Sequence, residues 1–262
     1  MEAFIFDHIF LMHPLLCAVV FEQLFVEDGE FRPPVSNMRV FAMGGGGGGC
    51  LGEAGAGGSG YIAVVNATLQ TNWTYWITVG KGGKPGTELG SCNQCPGATP
   101  GGDSMLRRCL KNENVEQPIC NDFVVAKGGK AELEGGSGGA MGGTGCTYSN
   151  GGSGGLQGGR CRQEANPEKN KEQGSYFEQL KFFKHYKLTA GNGGKYGGYG
   201  GGGGGGVLIN GVGPKAGKGV GENGGLGGEG YGAGGGGGGL NLGVTCYPGG
   251  AGADGMVYIE WN

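Results

Sequence analysis

The sequence predicts a mainly β fold: a small, jelly-roll-like β-sandwich with an inserted bundle of polyglycine II helices. Three observations support it. Short segments rich in β-branched and aromatic residues recur along the chain, as strands do. Glycine supplies 70 of the 262 residues, where about 7% is usual. Many of those glycines run consecutively, as in Gly44–Gly49, Gly200–Gly206 and Gly234–Gly239.

Consecutive glycines exclude collagen, which places glycine at every third position among many prolines. Floppy loops and packed helices stay open as readings of the runs. Glycine loses the most backbone entropy on folding and buries no side chain. An ordered run must therefore satisfy its N–H and C=O groups through neighbours. Extended polyglycine makes no internal hydrogen bonds, so it offers every one of those groups to adjacent chains.

Residues 1–20 form an apolar N-terminal segment with Ile9, Phe10, Leu11, Leu15, Leu16 and Val19, interrupted by His13 and Pro14. It reads as a signal-type segment, an anchor, or the opening of the fold. Glu2 and Asp7 stand where a signal peptide carries positive charge. Any membrane contact is left to this segment.

Residues 21–262 are expected to be one glycine-rich β domain. Leu24–Val26, the turn Asp28-Gly29 and Phe31 read as a hairpin. Further strands are expected at Met38–Met43, Gly60–Leu69, Trp73–Val79, Phe123–Ala126, Val207–Ile209 and Met256–Trp261. The last should close a sheet with the early ones. Glycine-rich stretches at about 128–160 and 191–241 read as polyglycine insertions between strands. The charged, aromatic stretch Pro167–Leu188 reads as a short helix or hairpin, packed down or projecting toward a partner.

Eight of the nine cysteines lie in glycine-rich or polar sequence: Cys50, Cys92, Cys95, Cys109, Cys120, Cys146, Cys161 and Cys246. They predict disulfides in an oxidising compartment, with connectivity not fixed by spacing. Zinc held by Cys92, Cys95, Cys109 and Cys120 is the alternative. A redox CxxC should open a helix, and Cys92-Asn-Gln-Cys95 is followed by Pro-Gly instead. Asn66-Ala-Thr68 and Asn72-Trp-Thr74 are glycosylation sequons and fit the same compartment.

Charge and motifs argue against several functions. The net charge of -3 offers nothing to nucleic acid. His8, His13 and His185 form no sequence cluster, and Gly211-Val-Gly-Pro-Lys215 lacks the phosphate-loop pattern. No catalytic residue, metal ligand or cofactor site is expected. Trp73, Trp76, Tyr176, Phe177, Phe182, Phe183 and Tyr186 are candidate partner-binding aromatics.

Several stretches together resemble a known family. They are Phe31-Arg-Pro-Pro, Met38-Arg-Val-Phe-Ala-Met followed by Gly44–Gly49, Ser59-Gly-Tyr-Ile-Ala-Val and Tyr75-Trp-Ile-Thr-Val-Gly-Lys-Gly-Gly83. The closing Gly249-Gly-Ala-Gly-Ala-Asp-Gly-Met-Val-Tyr-Ile-Glu260 completes the set. Over about residues 20–262 the chain resembles the glycine-rich domains of phage tail fibres and adhesins. It is also similar in texture to the ectodomains of the anaplastic lymphoma kinase and leukocyte tyrosine kinase receptors. The resemblance implies β structure decorated by polyglycine helices, serving in recognition or as a rigid part of a surface protein.

The expected function is a non-enzymatic structural or assembly component of an extracellular matrix, surface layer or virion, working through protein partners or self-association. The alternative is a secreted or surface module that recognises a protein or a glycan.

Overall fold

The computed structural model describes residues 20–52, 55–87, 95–110, 119–131, 187–191, 193–194, 200–221, 223–239 and 246–262. The expectations for residues 1–19, for Cys92, Cys146 and Cys161, and for Tyr176, Phe177, Phe182, Phe183 and Tyr186 lie outside them. So does most of the 128–160 stretch.

The described strands are β1 (Phe21–Phe25), β2 (Gly29–Phe31), β3 (Asn37–Met43), β4 (Ile62–Thr68), β5 (Tyr75–Thr78), β6 (Ser104–Leu110), β7 (Ile119–Ala126), β8 (Leu188–Ala190), β9 (Val207–Ile209) and β10 (Met256–Trp261). They form two four-stranded antiparallel sheets, β1-β10-β3-β4 and β2-β5-β6-β7, plus the pair β8-β9. The C-terminal strand lies between β1 and β3, as the sequence suggested.

Alternation of side chains sorts each strand onto two faces. Met38, Val40, Ala42, Val257 and Ile259 of the first sheet meet Phe31, Tyr75, Ile77, Leu106 and Val124 of the second in one buried cluster. That cluster is the interior of the sandwich. The opposite face of the first sheet is also apolar near one end. There Phe41, Met43, Ile62, Met256 and Tyr258 pack under Leu188, Val207 and Ile209 of the β8-β9 pair. Burial on both faces explains why Met38–Met43 and Met256–Ile259 read as nearly continuous apolar runs.

Three details depart from the sequence reading. Asp28-Gly29 makes no hairpin, because β1 pairs with β10 and β2 with β5. The turn carries the chain from one sheet to the other, and Asp28 Oδ1 accepts the Val79 N–H at 2.8 Å. The second departure is β6, which the sequence reading missed, and β7, which starts at Ile119 rather than Phe123. Arg107 and Arg108 obscured β6. Arg107 pairs with Asp122 at 3.3 Å, and Arg108 lies over the Trp73 ring. Third, β8 was also missed, being only Leu188–Ala190.

Candidate functional site

The strands are oriented so that one end of the sandwich feeds the glycine segments. Glycine follows β3 directly, β5 after Val79 and β7 after Lys127; it directly precedes β10 and lies one residue ahead of β6 and β4, before Asp103 and Tyr61. Every one of these junctions lies at the same end, because the pairing is antiparallel throughout.

Gly44–Gly49 run through the middle of the glycine region, wholly buried. Their N–H groups donate in turn to three different segments. Gly44 and Gly47 reach Tyr61 and Gly58, Gly45 and Gly48 reach Gly102 and Thr99, and Gly46 and Gly49 reach Ala253 and Gly250. The carbonyls accept from three others. Gly129 donates to Gly45, Gly83 and Gly86 donate to Gly46 and Gly49, and Gly235 donates to Gly47. These bonds measure 2.7–3.1 Å. The segment thus has six neighbours, and four of them bond to it twice, three residues apart.

The missing side chains tell the same story. A Cβ added at Gly44 or Gly47 would strike the Lys127 or Lys130 carbonyl. One at Gly45 or Gly48 would strike Lys81 or Lys84, and one at Gly46 or Gly49 would strike Ala233 or Gly236. The positions where a side chain would go are therefore occupied by neighbouring backbone. This accounts for a run of six glycines where one or two would serve a turn. The 200–239 region joins the same network, with Gly204 donating to Gly57 and Gly57 to Gly235. The bonded glycine segments are thus drawn from five strand connections, β3–β4, β5–β6, β7–β8, β8–β9 and β9–β10, early ones included.

The junction is fastened by a repeated device. Asp254 Oδ1 accepts the Gly82 N–H at 2.7 Å while Oδ2 meets Lys81 Nζ at 2.9 Å. Asp103 does the same for Gly128 at 3.0 Å and Lys127 at 2.7 Å. In each case a Lys-Gly-Gly leaving one strand is held by an aspartate entering another. The Asp254 carboxylate raises the pKa of Lys81, chiefly through their hydrogen bond. Ser104, fully buried, donates to the Met43 carbonyl at 2.6 Å and accepts the Gly80 N–H at 2.9 Å. It ties the end of β3 to the end of β5, and so one sheet to the other.

Cysteine geometry is covalent among the described residues. Cys50 is bonded to Cys95, and Cys109 to Cys120; Cys246 is disulfide-bonded as well. Zinc at Cys95, Cys109 and Cys120 is thereby overturned, since a sulfur in a disulfide has no thiolate to give a metal. Cys109 and Cys120 face each other on β6 and β7 rather than in loops. Among the described residues no His, Cys, Asp and Glu side chains group as metal ligands.

The candidate aromatics separate. Trp73 is half-buried against the sandwich interior, under Arg108. Trp76 is 43% exposed on the outer face of the second sheet, opposite Glu30 and Arg107. The acceptor residues Asn66 and Asn72 are both exposed, at the end of the sandwich away from the glycine segments.

The features define a class: a disulfide-stapled β-sandwich whose distinguishing site is a backbone-bonded glycine region rather than a cleft of reactive side chains. A family model described as a glycine-rich domain matches residues 27–262. The chain belongs to that glycine-rich domain family. No curated protein matches it.

Proposed function

We propose that the chain is a non-enzymatic structural or assembly component of an extracellular matrix, surface layer or virion. One observation carries this reading: the six-neighbour hydrogen-bonding around Gly44–Gly49, continuous with the ends of both sheets. Its three-residue period is that of packed polyglycine II helices, and we take the region to be such a bundle. Close-packed backbone with no rotatable side chains resists deformation, which suits a rigid spacer or building block. The disulfides favour an oxidising, extracellular setting. The likeness to tail-fibre, adhesin and receptor-ectodomain glycine-rich domains supports the same choice.

The exposed Trp76, with charged residues on both flanking strands, favours a second reading: recognition of a protein or glycan. Light scattering of the purified protein, non-reduced and then reduced, separates the two. A defined oligomer or larger assembly supports the structural role. A monomer at all concentrations refutes self-assembly and leaves recognition.

A further inference from the structure

We propose that Asn66 carries an N-linked glycan whose first sugars lie in a groove on the outer face of the first sheet. This rests on the extracellular reading above.

The two sequons meet different surroundings. Asn72 sits in the exposed turn between β4 and β5. Asn66 sits on β4, which forms an edge of its sheet. Asn66 pairs with Arg39, and Arg39 pairs with Glu260, so three polar side chains form one row across β4, β3 and β10. Adjacent strands are about 5 Å apart, so the row spans about 10 Å. Thr68 and Asn37 pair beside it on the same face, and Thr68 Oγ1 donates to Asn37 Oδ1 at 3.2 Å.

The row lines a groove of about 320 Å³. That is within the size range of a small-ligand cleft, which starts near 300 Å³. The same sheet face is apolar toward the glycine end, where β8 and β9 cover it. Toward the sequon end it is polar. The Glu260 carboxylate is held within it, 7% exposed and 3.9 Å from Arg39.

Amide, guanidinium and carboxylate groups supply the mix of donors and acceptors that sugar hydroxyls and an N-acetyl group need. A glycan attached at the rim pays little additional entropy to enter, because its tether sets a high local concentration.

The full chain, driven into the secretory route of mammalian cells by a heterologous signal peptide, tests this independently of its native destination. Glycopeptide mass spectrometry reads occupancy at both asparagines. Enzymatic deglycosylation of the folded protein reads protection. The expected result is occupancy at Asn66, with release there at least about tenfold slower than at Asn72; tenfold corresponds to about 1.4 kcal/mol of docking. Arg39→Ala should abolish the difference, and Asn37→Ala should reduce it if the first variant fails to fold. An unmodified Asn66, or equal release at both sites, overturns the proposal. An Asn66 glycan docked on a chain that assembles with nothing would leave this proposal standing and the structural role refuted.

Discussion

Replacing Gly46 with alanine places one methyl group where the backbone of Ala233 already is. The new Cβ would stand 1.9 Å from the Ala233 carbonyl oxygen, about 1.5 Å short of ordinary contact at 3.4 Å. Backbone cannot rotate aside as a side chain can. Moving the carbonyl that far breaks the Ala253 N–H bond to Ala233, now 2.8 Å, and disturbs the Gly46 bond to Ala253, now 2.9 Å. Overpacking typically costs about 1–3 kcal/mol, and two lost hydrogen bonds add about 1 kcal/mol each. Restricting the unfolded chain returns about 0.4–1 kcal/mol. The net expectation is a loss of about 3 kcal/mol, or about 6–12 °C in Tm for a chain of this size.

Two controls frame that number. At Gly29 the Cβ would meet only the Phe25 ring at 3.5 Å, so Gly29→Ala should change stability by less than about 1 kcal/mol. Gly211 has open space but φ of +78°, so its cost should come from backbone conformation alone, about 1–2 kcal/mol. Thermal unfolding by circular dichroism, under non-reducing conditions, ranks the three. If Gly46→Ala unfolds no earlier than Gly29→Ala, the close backbone packing is not what the glycines serve.

Five further outcomes are expected. Ser104→Ala strands the Gly80 N–H in a buried site and should cost about 1–3 kcal/mol in denaturant unfolding. Asp254→Ala should destabilise more than Lys81→Ala, because it leaves the Gly82 N–H without its acceptor while Lys81 is solvent-exposed. Because the Lys81 pKa is raised in the fold, its contribution is present at neutral pH and is lost as pH climbs past its ordinary 10.5; comparing the wild type with Lys81→Ala at pH 8 and pH 11 checks this. Removing Cys50–Cys95, which spans 45 residues, should cost about 4 kcal/mol, and Cys109–Cys120, which spans 11, about 3, as read from paired serine variants. Trp76→Ala should leave Tm within about 2 °C while abolishing any partner captured by the wild-type protein.

Much of the sandwich could be read from the sequence, because Met38–Met43 and Met256–Trp261 are long, largely apolar and abut glycine at one end, Gly44 and Gly255. The sheet assignment of β1 and β2 could not. Asp28-Gly29 carries the local signature of a hairpin, and only the distant Val79 N–H reveals that Asp28 is committed elsewhere. Likewise β6 carries two arginines whose burial makes sense only once Trp73 and Asp122 are beside them. The Cys109–Cys120 bond followed from that missed strand, since the two cysteines are cross-strand partners. The Asn210-Gly211 turn, with φ of 53° and 78°, did carry a readable signal just after β9 and was passed over. The polar groove was invisible, because Asn66, Arg39 and Glu260 are brought together only by register.

The three-residue return of neighbours around Gly44–Gly49 has a consequence for how such chains can change length. In the polyglycine II bundle proposed above, one glycine inserted into the run would turn every later residue by a third of a revolution and hand each amide to the wrong neighbour. Three inserted together would restore every direction and lengthen the segment by one turn, about 9 Å at 3.1 Å per residue. Length variation in this part of the chain should therefore come in triplets of residues, matched across neighbouring segments, whereas ordinary surface loops grow by any number.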